Sequence, residues 1–160
     1  RENFIERIFT YDRWRNMESS GRTAGKLVEF HARHKLLILS HSGKTFKELG
    51  ALTARSGKIP AGELYGQYIK TLMEGMKLAA TVKKNADVLM HTVGHFRKVL
   101  SSDEKKELLE IIERYRAGLI PLAVPVTLLN HYARKYSPEH LPRQYYLDPH
   151  PHELMLRNHV

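Results

Sequence analysis

The stretch TAGKLVEFHARHKLLILS, residues 23–40, decides the fold class. Wound at about 100° per residue, Lys26, Glu29, Arg33 and Ser40 fall within one narrow polar stripe. Glu29 and Arg33 are spaced i,i+4 in the order that favours an ion pair. Every other direction carries Leu27, Val28, Phe30, Leu36, Leu37, Ile38 or Leu39, so the helix is predicted to be central. Thr23 is its predicted N-cap.

The same period runs outward from this helix in both directions. Residues 3–19 predict an amphipathic helix with Phe4, Ile5, Ile8, Phe9 and Trp14 apolar and Gly21 beyond its end. Ser42-Gly43 breaks the central helix, and a short one with Phe46, Leu49 and Leu52 ends before Gly57. Pro60 suits the first turn of a long helix to about residue 83, where a missing N–H is harmless; it carries Leu64, Tyr68, Leu72 and Met76. Another helix is predicted over 85–100. Ser101 and Glu104 then match a capping box, and Gly118 is a natural stop for a helix carrying Leu108, Ile111, Ile112 and Tyr115. Pro121 and Pro125 lead into a helix over 126–136. Pro138, Pro142, Pro149 and Pro151 predict an extended or turn-rich tail, with a last helical turn at 153–156. Neither repeats nor β pairs are evident. The expected architecture is all-α: a single-domain bundle of six to seven helices with a Pro-rich C-terminal tail.

Composition sets the outer bounds. A chain of 160 residues suits one domain, and 42% hydrophobic with 27% charged residues describes a folded protein. The absence of cysteine excludes disulfides, thiolate-held iron–sulfur clusters, Cys zinc sites and a Cys nucleophile in these residues. The longest apolar-rich stretch, 119–129, is interrupted by Pro121 and Pro125 and falls short of the ~20 residues a bilayer requires. No signal-peptide pattern precedes the first helix, so no membrane partner is expected and the cytoplasm is the expected compartment. The formal charge is +9, and the whole excess lies in residues 1–100. A basic chain of this kind favours an anionic partner, nucleic acid ahead of membrane.

Two helices carry the polar chemistry. On the central helix His31, His34 and Lys35 point away from the polar stripe, beside Leu27 and Ile38. Three readings fit: a snorkelling lysine with two backbone-bonded histidines, a concave basic pocket for a phosphate or base, or a metal held by His31 and His34. On the 85–100 helix, Ala86, Leu89, Met90, Val93, Phe96 and Leu100 form the predicted core face. Opposite them Lys84, Asp87, His91, His95 and Lys98 align in one row, thickened by Lys83 and Arg97. This row reads as a solvated face, as a phosphate-tracking surface, or as a metal site on Asp87, His91 and His95. Tyr145 and Tyr146 in the tail are the best-placed aromatics for stacking on a base, the other tyrosines being core candidates. Asp103, Glu104, Glu107, Glu110 and Glu113 describe an exposed helix face. Phosphate-gripping Gly-rich loops, nucleophile elbows and HExxH motifs are lacking, so no catalytic residue, metal or cofactor is assigned.

Several runs together resemble a known family. They are 28–36 (VEFHARHKL) leading into Leu39-Ser40-His41-Ser42, 85–94 (NADVLMHTVG), Phe96-Arg97-Lys98, 101–109, and Tyr115-Arg116-Ala117-Gly118. Pro121-Leu122, Val124-Pro125, 128–132 (LLNHY), 144–151 and 153–157 complete the set. Over residues 25–160 the chain resembles the YbgA-like domain family. That resemblance implies a domain found alone or fused behind a thiouracil-desulfidase-like domain bearing an iron–sulfur cluster on cysteines. The opening residues, Arg1 to Arg7 with Phe9, Tyr11 and Trp14, resemble the end of such a front domain. On this reading 1–22 are the tail of a preceding desulfidase-like domain and a linker helix, and 23–160 are the all-α domain. The absent initiator Met and absent cysteines fit a seam, with the chemistry on the other part.

The expected function is therefore an accessory domain that binds RNA, tRNA first, and presents it to a fused tRNA thiouridine desulfidase. Arg33, His34, Lys35, Lys83, Lys84, His91, Arg97 and Lys98 are the expected contacts, with His31, His34 and Lys35 as the candidate pocket. The alternatives are a metal- or small-molecule-dependent enzyme using His31/His34 and His91/His95, and a structural or dimerising module.

Overall fold

Thr23, Ser42, Thr81 and Ser101 each turn a side-chain oxygen onto a backbone N–H three residues on, and a helix starts at each. The computed structural model describes residues 2–138, 141–150 and 155. Among them are seven α-helices and no strand: α1 (Glu2–Ser19), α2 (Ala24–His41), α3 (Gly43–Ala54), α4 (Ala61–Gly75), α5 (Val82–Phe96), α6 (Ser102–Arg116) and α7 (Ala123–Tyr136). A 3-10 turn, Ser56–Lys58, joins α3 to α4. The class is all-α. None of these helices is long and apolar enough to cross a membrane. The helical turn expected at 153–156 lies outside the described residues except for Met155, which is helical.

The helices group into two compact units, Arg1–Ala80 and Thr81–Val160. In the first, α1 is built into the core. Trp14 is 1% exposed and meets the rings of Phe30, Tyr65 and Tyr68 at centroid distances of 5.3, 5.3 and 5.4 Å. Tyr65 fastens the α1–α2 turn, its hydroxyl donating to the Thr23 carbonyl (2.9 Å) and accepting from the Thr23 N–H (3.1 Å). Buried Glu6 on α1 faces His41 at the end of α2, Oε2 to Nε2 at 2.7 Å, while His41 Nδ1 meets the Leu78 carbonyl at 2.7 Å. Both ring nitrogens of His41 thus face oxygen acceptors.

Periodicity extends the fourth helix to about residue 83; the structure ends it at Gly75 and starts a new one at Val82. Gly75 packs directly on Thr45 of α3. A Cβ added there would stand 2.6 Å from Thr45 Cβ, and closer still to Oγ1 and Cγ2. Gly75→Ala is therefore expected to destabilise the first unit by ~1–3 kcal/mol through overpacking, despite alanine's better helix propensity. Urea unfolding measures this, and adding Thr45→Gly should return part of the loss. An unchanged midpoint for Gly75→Ala would mean that α3 and α4 are not held this close.

In the second unit α5 packs on α6 and α7. The predicted capping box is formed: Ser101 Oγ accepts from Glu104 N–H and Glu104 Oε2 accepts from Ser101 N–H. Glu104 also receives Lys135 Nζ (2.9 Å) and the Tyr136 hydroxyl (2.8 Å), tying the start of α6 to the end of α7. The Ser101 N–H, Lys135 and Tyr136 together hold its carboxyl at about 2. Gly118, at φ +73°, ends α6 as expected: Leu119 N–H returns to Arg114 O and Gly118 N–H to Tyr115 O, the Schellman pattern that favours glycine.

Candidate nucleic-acid interface

Helix α5 separates its residues into a buried and an exposed face. Asn85, Ala86, Val88, Leu89, Thr92, Val93 and Phe96 are buried. Asn85 Oδ1 accepts from the Tyr146 hydroxyl at 2.9 Å, and Thr92 Oγ1 donates to the Val88 carbonyl at 2.8 Å. Polarity hid both: the partner of Asn85 lies 61 positions on, whereas Thr92 satisfies its hydroxyl on the carbonyl one turn back and can then be buried. The core face is accordingly rotated from the predicted one, and Met90, assigned to the core, is 40% exposed.

The exposed side carries Lys83, Asp87, Met90, His91 and Gly94, continued by Arg97 and Lys98 in the turn that follows Phe96. Lys83, His91, Arg97 and Lys98 have no ion-pair partner among the described residues, and Lys84 lies partly buried beside them. Asp87 is the only acidic side chain on the helix. The His91 and His95 rings lie 5.6 Å apart, edge to face. No group of three metal-ligating side chains occurs among the described residues, so Asp87, His91 and His95 do not converge as metal ligands.

The three predicted contacts on α2 belong to the other unit and behave differently. Arg33 and Lys35 are half-buried. His34 is 1% exposed, its ring stacked on Phe30 at 3.8 Å and its Nδ1–H donated to the Phe30 carbonyl at 2.7 Å. It cannot touch a nucleic acid, and the assignment of His34 to the contact surface is corrected: the ring belongs to the aromatic core around Trp14. His31 is half-buried, its Nδ1 hydrogen-bonded with the Tyr68 hydroxyl (2.9 Å). Burial brings the His34 imidazole down to about 3. Burial, with Lys35 adding to it, lowers His31 to about 4. Burial also lowers the Lys35 ammonium and raises the Tyr68 phenol. Both histidines are neutral near pH 7, with their Nδ1 atoms engaged by Tyr68 and the Phe30 carbonyl, and no group of three metal-ligating side chains includes them among the described residues. Tyr146, a candidate for stacking on a base, is buried with its hydroxyl on Asn85, so that assignment is corrected too; Tyr145 is half-buried.

Of the eight expected contacts, the structure brings five onto or beside one exposed helix: Lys83, Lys84, His91, Arg97 and Lys98. An all-α protein with an exposed basic helix is a broad class, and comparison with known proteins narrows it. The chain belongs to the family described as "Protein of unknown function (DUF1722)", whose model matches residues 35–151. It is similar to "Uncharacterized protein YbgA" of Escherichia coli (strain K12), 31% identical over 158 residues that span 98% of this chain and 94% of that protein. No solved structure matches.

Proposed function

We propose that the chain is an RNA-binding accessory module, with tRNA as its first candidate ligand, serving a tRNA thiouridine desulfidase domain that carries an iron–sulfur cluster. The observation that carries the RNA part is the exposed side of α5, with Lys83, His91, Arg97 and Lys98 free of ion pairs and one acidic neighbour, Asp87. Lysine and arginine in such a row reach successive phosphates, and histidine adds a donor that responds to pH. The net charge of +9 supplies long-range attraction to the same kind of ligand. The link to a desulfidase rests on the family resemblance of residues 1–22 and on the absence of cysteine here.

Titrating the whole chain with tRNA at several salt concentrations tests the reading. Affinity is expected to fall steeply with salt as phosphate contacts release counterions, and the Lys83→Ala/Arg97→Ala/Lys98→Ala variant should lower the log–log slope by about 2–3. All three side chains are exposed, so the variant should fold as the parent does. Absence of binding at low salt, or a slope the triple variant leaves intact, would sink this interface.

A further inference from the structure

A hollow of about 580 Å³ lies in the second unit, walled by the end of α7 on one side and residues 141–148 on the other. Asn130, Arg134 and Ser137 reach it from one helix face, at i, i+4 and i+7. None of these three side chains has a hydrogen-bond or ion-pair partner among the described residues. Ser137 ends α7 in a left-handed backbone (φ 41°, ψ 57°), its N–H on the Ala133 carbonyl, which turns the chain away from the helix at this point. From the opposite wall comes Arg143, whose guanidinium is held in place by Asp148, Nε to Oδ2 at 3.0 Å. Leu141 and Pro142 supply apolar surface between the polar groups.

The chemistry of this lining selects its ligand. Among the described lining residues two guanidinium groups stand against one carboxylate and leave a positive charge, so the ligand carries an anion. Arginine forks match the paired oxygens of a phosphate better than a lysine would. Apolar walls call for a flat, weakly polar body, and the Asn130 amide both donates and accepts, as a base edge requires. The volume lies within the range of small-ligand sites. We propose that this hollow binds a nucleotide, its phosphate on Arg134 and Arg143 and its base on the Leu141/Pro142 wall within reach of Asn130. The site is separate from the α5 row and does not depend on it.

Such a nucleotide is either free or one residue of an RNA strand, and calorimetric titration of the whole chain separates the two. The probes are UMP, AMP, uridine and a five-nucleotide RNA. Saturation by UMP or AMP identifies a free nucleotide; saturation by the oligonucleotide alone identifies a strand. In either case Arg134→Ala should weaken binding at least tenfold and Asn130→Ala at least threefold, and uridine should bind at least tenfold more weakly than UMP where UMP binds. The Lys83→Ala/Arg97→Ala/Lys98→Ala variant should keep the interaction. Amide chemical-shift changes at Ser137 and Arg143 of the unaltered chain provide a readout that needs no substitution. Failure of both nucleotides and oligonucleotide to bind overturns the proposal. So does binding that Arg134→Ala and Asn130→Ala leave unchanged, or oligonucleotide binding that only the α5 variant removes.

Discussion

Replacing Trp14 by alanine is expected to remove ~3–5 kcal/mol from the stability of the first unit, the range for truncating a large buried aromatic. The ring is 1% exposed and touches aromatic side chains from both α2 and α4, edge-on to Phe30 and stacked on Tyr68 at an interplanar angle of 4°. Its loss leaves a void that three large rings cannot all collapse into, because Tyr65 is tethered to Thr23 and Tyr68 to His31. Against a total of ~5–15 kcal/mol for a typical domain, this is a large fraction. Deleting residues 1–22 removes Trp14, Glu6 and the whole of α1, so the 23–160 fragment should lose cooperative unfolding of its first unit altogether. Urea titration followed by circular dichroism measures both variants, and the fluorescence of the chain's single tryptophan follows the same unit in the unaltered protein. A 23–160 fragment that unfolds at the parent midpoint would instead make α1 an appendage, as the reading of 1–22 as a linker implies.

That contrast shows what the residues reveal locally and what they conceal. Helix starts were legible where a short polar side chain reaches its own backbone: Thr23 and Ser101 were both readable as caps, and Gly118 as a stop, because each acts within four residues of itself. The end of α4 was not legible. Gly75, its last residue, is a helix-breaking type but sits inside a continuing apolar period, and its close packing on Thr45, thirty positions earlier, leaves no local pattern. The same holds for side chains. Direction on the helix separated His31, His34 and Lys35 from the polar stripe, yet pocket and core look alike until Phe30 and Tyr68 are seen against the rings. The Glu6–His41 pair joins residues 35 apart and left no local pattern. On α5 the basic residues of the predicted row do lie outside the core, Lys84 and His95 only partly exposed, although period alone misplaced Met90, Asn85 and Thr92.

The buried histidines carry the second large effect, a loss of stability in mild acid. His31 and His34 have folded values of about 4 and about 3, below the ordinary histidine value of 6.5. The sign follows from which state takes up protons. Between pH 6.5 and about 4 the unfolded chain binds protons at these rings that the folded chain refuses, so unfolding gains ground as pH falls. The stability these neutral rings confer is complete above pH 6.5 and is lost progressively toward their folded values. One histidine contributes a slope of up to ~1.4 kcal/mol per pH unit. His34 should approach that figure because burial dominates its environment and the nearby Arg13 and Arg33 charges further disfavour an imidazolium. His31 adds less, its ring being half-buried and open to partial hydration. Charging His34 also requires the Phe30–His34 stack to accommodate an ion in an aromatic core, a strong desolvation penalty. Urea midpoints for the first unit should therefore drop steeply from pH 7 to pH 4.5, and His34→Gln, which keeps a donor for the Phe30 carbonyl, should start less stable at pH 7 but show a flatter profile. Equal slopes for the parent and His34→Gln would show that carboxylates elsewhere, and not this ring, govern the acid response.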